Sequence, residues 1–342
     1  MTVESAFFIV AGMKAVRLHG VADIRFEEID APGAPPPGHV RVAVKAAGIC
    51  GSDLHNFRTG QWISRVPATP GHEFSGVVVE AGPGAALSPG TLVVADSRVW
   101  CGECPQCRDG AYNLCAHIGF VGEVCEGGFA EEVVLPAHQL LAVPAGTPPE
   151  VAALAEPLAV ALHGLARLTL PKGAPLLVAG CGAIGGLAAF AASRLHDGPL
   201  LVADRNAARA SLVAQVTGAR IVPLDAAVLA GERLGHALEA TGSGAVLTAL
   251  AGLMAPGGRV ALVGIFHGPV SLDANLLVER EITLLGSHAF ADELPRAAAL
   301  AAANAPALSR LVAAGVALED LPATYQALLA GEVLALKTLA RP

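Results

Sequence analysis

The chain has 342 residues, 53% of them hydrophobic and 15% charged, with a formal net charge of −8. That length exceeds one ordinary core and predicts two domains, and so apolar a composition excludes a disordered chain. The negative balance without any Lys/Arg cluster argues against nucleic acid or an anionic membrane as a partner.

At the N-terminus the apolar run "AFFIVAG" follows Glu4. It has no basic flank and is too short to span a bilayer, so no signal peptide is expected and a cytoplasmic location is. "MKAVRLHG" from Met13 reads as a second possible start, which leaves residues 1–12 as an extension without an assigned role. Seven cysteines, an odd number, in a reducing compartment argue against a disulfide framework.

Residues 13–150 are short strand-like runs cut by turns. "VRVAVKAAG", "FSGVVVEAG" and "TLVVAD" alternate or run apolar, and "PGAPPPG", "ATPG" and "GPG" punctuate them. Within this β-rich part, "GICGSDLH" supplies Cys50, Ser52, Asp53 and His55, and "PGHEFSG" supplies His72 and Glu73. Cys, His and Glu all ligate zinc, and three protein ligands plus water describe a catalytic centre. Each residue alone also has a plain reading as core or as a satisfied hydrogen-bonder.

"CGECPQCRDGAYNLC", residues 101–115, places Cys101, Cys104, Cys107 and Cys115 in a C-x2-C-x2-C-x7-C spacing. Three cysteines two residues apart can wrap one ion and the fourth closes a tetrahedron, so the expectation is structural zinc. A bacterial ferredoxin run would place its fourth cysteine after three residues and follow it with proline. Reversible disulfides are the other alternative.

Near Glu150 the texture changes. "PPEVAALAEPLAVALHGLARL" has helical spacing and carries Glu156, a further candidate ligand. Strands are predicted at 174–179, 199–203, 220–224, 236–240, 259–264 and 281–286, with Ala/Leu-rich helices such as "AIGGLAAFAASRL" and "AVLTALAGLM" between them. This alternation implies an α/β fold with a doubly wound parallel six-stranded sheet of the Rossmann type. Helical pieces and a last strand, "ALKTLA", close the chain.

"VAGCGAIGG" follows the first of those strands and opens a helix, giving Gly180, Gly182 and Gly185 in a GxGxxG pattern. The glycines suit a tight turn, a close approach of pyrophosphate and close helix–strand packing. Asp204 ends the next strand, placed for a carboxylate on the adenosine ribose. A carboxylate there repels a 2′-phosphate, so NAD is favoured over NADP, with the adjacent Arg205 acting the other way.

Five ordered motifs, "GICGSDLH", "GHEFSG", "CGECPQCRDGAYNLC", "EPLAVALH" and "AGCGAIGG", make the chain from Met13 onward resemble the zinc-containing medium-chain dehydrogenase/reductase family. Within it, the sequence is most similar to the polyol and threonine/butanediol branch. The resemblance implies a GroES-like catalytic domain over 1–155 and 290–342, with a structural zinc lobe at 101–115, and a Rossmann NAD-binding domain over 156–289. It implies two zinc ions. Cys50 and His72 hold the catalytic one, Glu73 and Glu156 reach it directly or through water, and Ser52 and His55 form a proton relay. It further assigns Ile184, Asp204 and Arg209 to the cofactor, Val263, Gly264 and Ile265 to the strand end beside the nicotinamide, and Ser287 and His288 to the neighbouring segment. Related polyol enzymes carry an Arg followed by an aromatic in the segment written here "GSHAF". This chain has Ala289 and Phe290 there, which implies a less polar pocket, with Trp62 and Phe57 as aromatic walls or as core.

The function so implied is zinc-dependent oxidation of a secondary alcohol or polyol, with hydride transfer to NAD. The alternatives are an NADPH-dependent carbonyl reductase built from the same parts, or a non-catalytic NAD- and zinc-binding protein. The resemblance also implies a homodimer or homotetramer assembled through an edge strand such as "EITLLG".

Overall fold

The computed structural model describes residues 12–333 and 335–342. Residues 1–11, most of the extension singled out above, lie outside the described residues, whereas Gly12 and Met13 open the strand Gly12–Gly20.

The first half of the chain folds around a seven-stranded sheet. Its central strand, His39–Gly48, shows why: Val40, Val42 and Val44 turn inward and are essentially buried, while Arg41 faces out. There Arg41 bridges two neighbouring strands, donating to Glu80 at 2.9 Å and to Glu132 at 3.0 Å. His39–Gly48 runs antiparallel to Glu73–Ala81, with Gly48 opposite Glu73. That register sets the site, because Cys50 leaves one strand beside the point where His72 enters the other. The C-terminal strand Leu339–Arg341, shorter than the "ALKTLA" run, pairs with the far side of His39–Gly48.

The second sheet is parallel and six-stranded. Its order is Arg220–Ile221, Leu200–Ala203, Leu176–Ala179, His236–Glu239, Arg259–Leu262 and Thr283–Gly286. All six strands predicted from sequence are present, and the order reverses beside Leu176–Ala179, as in dinucleotide-binding folds. Leu176–Ala179 is buried at every residue, as expected of a strand covered by helices on both faces. Helix Ala183–Leu195 matches the segment read from sequence.

The stretch from 149 onward forms two helices, Pro149–Ala152 and Ala155–Leu168. By length and composition Pro149–Leu168 could cross a membrane, but 72% of that window is buried inside the protein. The second helix packs on Ala183–Leu195 and Leu294–Ala303 and touches strands of both sheets. It is the seam of the molecule, and Glu156 sits in its first turn.

Candidate active site

Cys50 caps helix Gly51–Thr59, and its backbone N–H donates to Asp53 Oδ2 at 2.8 Å. The ligand atoms of Cys50, His72 and Glu73 all lie within 4.8 Å of one another. His72 is 6% exposed and Glu73 fully buried. His72 Nδ1 and Glu73 Oε1 are buried without a hydrogen-bond partner, which is costly unless something else takes those lone pairs. A soft thiolate, an imidazole and a carboxylate with orphaned atoms converging on one point fit a zinc ion.

The surroundings are charged and dry. Lys337, 3% exposed, pairs with Glu73 Oε2 and donates to the Ile49 carbonyl at 3.0 Å. Asp53 Oδ1 lies 3.6 Å from His72 Nδ1. Burial alone would lower the His72 pKa, yet the nearby Asp53 carboxylate and Cys50 thiol raise it well above the ordinary value. Burial pushes the Glu156 carboxyl up to about 7. Glu156 is not one of the three converging residues; its Oε1 accepts from Ser97 Oγ at 2.6 Å.

Ser52 Oγ stands 3.5 Å from His72 Nε2. One turn further along the helix, His55 is 6% exposed, donates through Nε2 to Gln61 Oε1 at 2.9 Å, and leaves a buried Nδ1 unpaired. Its ring stacks on Trp62 at 4.2 Å and on His267 at 5.2 Å. His267 follows strand Arg259–Leu262 of the other sheet and accepts from Arg58 at 3.3 Å, so this stack bridges the two halves. Trp62 is 38% exposed, whereas Phe57 is core, packed edge-on against Tyr325 at 5.6 Å.

Cys101, Cys104, Cys107 and Cys115 form the second cluster, again with all sulfur atoms within 4.8 Å and no disulfide among them. Backbone N–H groups of Cys101 and His117 point at Cys115 Sγ, at 3.4 and 3.3 Å. Backbone donors from Ala116 and Cys107 pull Cys104 down to about 6, while burial pushes Cys107 up to about 12. Four thiols so crowded cannot all ionise without a cation, which is the electrostatic signature of a four-thiolate metal site.

The glycine-rich turn adopts the geometry a dinucleotide needs. Gly180 has φ +99°, and a side chain on Gly185 would collide with the Gly180 carbonyl. Nothing lies within 4 Å of a Cβ on Gly182, and helix Ala183–Leu195 starts there without a side-chain cap. Open space over uncapped N–H groups fits a pyrophosphate. Asp204 accepts from Cys181 N and Asn206 N, both at 2.6 Å, which fixes its carboxylate beside that turn. Ile184, Val263 and Gly264 are half-buried, Arg205 and Ile265 are exposed, and Arg209 donates to the Val333 carbonyl at 2.9 Å.

In the 287–291 segment, Ser287 Oγ is buried and unpaired. His288 and Asn113 exchange two bonds, Asn113 Nδ2 to the His288 carbonyl at 3.0 Å and His288 Nδ1 to the Asn113 carbonyl at 2.7 Å, tying His288 to the four-cysteine lobe. Arg98 donates to the Phe290 and Ala291 carbonyls and lies 4.1 Å from the Phe290 ring centroid.

Sequence reasoning missed Lys337, Ser97 and His267, which reach the site from distant segments without a motif of their own, and Gln61, six residues beyond His55. The role of Asp53 was within reach, since it stands three residues after a candidate ligand at a helix start.

A parallel sheet with an open glycine-rich turn, beside three potential metal donors and a four-thiol lobe, points to a class: metal-assisted oxidoreductases with a dinucleotide-type fold. Residues 36–145 match the alcohol dehydrogenase GroES-like domain, and residues 183–303 match the zinc-binding dehydrogenase family. The chain is 32% identical to an L-threonine 3-dehydrogenase of Pyrococcus furiosus over 76% of its own length and 78% of the relative's. It is also 32% identical to a sorbitol dehydrogenase of Halalkalibacterium halodurans, over 79% and 82%. The crystal structure of 2R,3R-butanediol dehydrogenase from Bacillus subtilis superposes with a TM-score of 0.87 at 32% identity, covering 96% of this chain and 99% of that one. The chain belongs to the zinc-type medium-chain alcohol dehydrogenase family, with a GroES-like domain and a Rossmann sheet.

Proposed function

We propose that the protein oxidises a secondary alcohol or polyol to the ketone and passes the hydride to NAD. The observation that carries this reading is the convergence of Cys50, His72 and Glu73 beside orphaned buried atoms, in a molecule whose other half holds an open glycine turn. Cys50, His72 and Glu73 would hold a catalytic zinc, with Glu156 in reach of the metal or its water. Cys101, Cys104, Cys107 and Cys115 would hold a second, structural zinc. When bound, zinc makes a hydroxyl acidic and nicotinamide accepts hydride.

The chain's own groups do the rest. Ser52 Oγ takes the substrate hydroxyl proton and hands it on to His55. The unpaired Nδ1 of His55 receives it, while Gln61 and Trp62 hold the ring in place. Glu156, buried and held by Ser97, keeps a carboxyl at the edge of the site. The His55–His267 stack supports a cleft edge built from both halves of the chain.

Asp204 orients the adenosine ribose and disfavours a 2′-phosphate, while the exposed Arg205 next to it supports the NADPH-linked carbonyl reductase reading. The domain division is residues 1–155 with 290–342, and 156–289; the pairing of Leu339–Arg341 with the first sheet supports it. Among the described residues Thr283–Gly286 ends the parallel sheet with one edge unpaired, which supports assembly of two or four copies there. Initial rates with a panel of diols, polyols and amino alcohols, each with NAD and NADP, test the reading. Turnover with NAD at rates above those with NADP is expected, and no turnover of any alcohol with either cofactor contradicts it.

A further inference from the structure

We infer that Glu123 is a specificity residue of this site, and that its carboxylate receives a protonated amine carried by the substrate one or two carbons from the carbinol, so that the substrate class is amino alcohol. The inference rests on the dehydrogenase reading above and narrows it.

Placement comes first. Glu123 sits in a tight turn in which its own N–H and that of Val124 donate to the Phe120 carbonyl, both at 3.0 Å. The preceding Gly122 has φ +83° and lies so close to the 70–71 backbone that a Cβ there would come within 3.0 Å of Gly71 N. The turn is therefore seated against the residues that lead into His72. Its side chain reaches helix Gly51–Thr59, where Asn56 Nδ2 donates to Glu123 Oε1 at 2.9 Å. Asn56 is itself fixed, because its Oδ1 accepts from Trp62 N at 3.1 Å. Asn56 lies four residues after Ser52, hence on the same helix face and about 5 Å further along the axis. The Glu123 carboxyl is thus held by the side chain of a residue about one helical turn beyond Ser52, the group proposed to take the substrate's proton.

The balance of charge supplies the second argument. Glu123 is 8% exposed. Other buried acids are compensated: Glu73 by Lys337, Asp96 by Arg98, Asp53 by the Cys50 N–H and His72, and Glu239 by Thr241 and two backbone N–H groups. Glu156, whose partner is Ser97, belongs to the proposed metal shell. Among the described residues, Glu123 has one neutral donor on Oε1, no cation, and no donor on Oε2. Burial raises its pKa to about 7, and the charges of His72 and Asp53 reach it. Oε2, without a protein donor, is not sealed from solvent, so a bound substrate can reach it; a substrate hydroxyl would satisfy a lone pair, whereas an ammonium group would also neutralise the charge.

The test compares 1-amino-2-propanol, 1,2-propanediol and 2-butanol as substrates of the zinc-loaded wild type and of Glu123→Gln, with thermal melting of both proteins. Gln keeps the shape and the bond to Asn56 while removing the charge. The wild type is expected to prefer the amino alcohol, and Glu123→Gln to lower the kcat/KM ratio of amino alcohol to diol at least about tenfold, mostly through KM, as befits an unpaired cation in a desolvated site. Calorimetric titration of the amino alcohol into each protein is expected to show the same loss without turnover. Equal losses on all three substrates, or a wild type without preference for the amine, overturn the assignment of Glu123 alone. No turnover of any of the three overturns the dehydrogenase reading and this assignment with it.

Discussion

Two regions of this molecule gather metal-binding side chains, and they are built on opposite plans. The 101–115 lobe takes four thiols from fifteen consecutive residues. Its sulfur atoms contact one another and backbone N–H groups, and among the described residues no buried lysine or carboxylate falls within 101–115. The Cys50–His72–Glu73 centre draws its three donors from a helix start and from the entry of one strand, 22 residues apart in sequence, and surrounds them with Asp53, Glu156, Lys337 and Ser52. A closed shell of four identical ligands leaves nowhere for a substrate, whereas three mixed ligands with titratable neighbours leave an open position and the means to move a proton. What surrounds the ligands, rather than their affinity for zinc, separates a staple from a reaction centre.

The sharpest way to break that contrast is to remove one cysteine from each region. Cys50→Ala is expected to abolish turnover while leaving the melting temperature close to that of wild type. Cys104→Ala is expected to lose one metal per chain and melt well below wild type, with activity per folded molecule largely retained. Elemental analysis, melting and initial rates on both proteins check this, and the contrast fails if the two variants behave alike.

The buried ion pair offers a finer cut. Lys337→Met leaves Glu73 buried without its cation, so a loss of about 3–5 kcal/mol in urea unfolding is expected. A variant as stable as wild type would mean that the zinc alone compensates Glu73.

The smallest expected effect concerns Glu123. Its pKa is about 7 in the folded protein, raised from 4.5, so the folded state holds that proton more tightly than the unfolded chain. The stability it contributes is therefore complete below about pH 4.5 and is lost as pH climbs to about 7, a penalty of up to about 3 kcal/mol at 1.36 kcal/mol per pKa unit. Glu123→Gln escapes it. The substrate-free variant is expected to gain stability over wild type between about pH 5 and about pH 8, and denaturant curves at both ends check the sign.

How much of this was legible in the sequence follows from how local each feature is. The four cysteines sit within fifteen consecutive residues, and the GxGxxG turn directly follows a buried apolar strand and opens a helix, so spacing and local context made both legible. The six parallel strands were legible because each is a short apolar run between Ala-rich helices. The His39–Gly48 strand was legible because Val40, Val42 and Val44 alternate with polar positions. Pairings across the chain were not. Lys337 meets Glu73, Ser97 meets Glu156 across 59 residues, and Glu123 meets Asn56 across 67, none with a local pattern to announce it. Phe57 went to the core because its face of the helix is the one Tyr325 covers, which periodicity over nine residues could not decide. His288 is drawn to Asn113 by a loop contact that no spacing encodes.

Metal removal and return tests the central claim most directly. The protein is stripped with a chelator under conditions in which melting shows it still folded, and alcohol oxidation is followed by NADH absorbance before and after zinc is restored, with Cys50→Ala treated in parallel. We expect no turnover in the stripped protein, recovery with zinc in wild type, and none in Cys50→Ala. Full turnover by metal-free protein, or recovery in Cys50→Ala, would contradict the account.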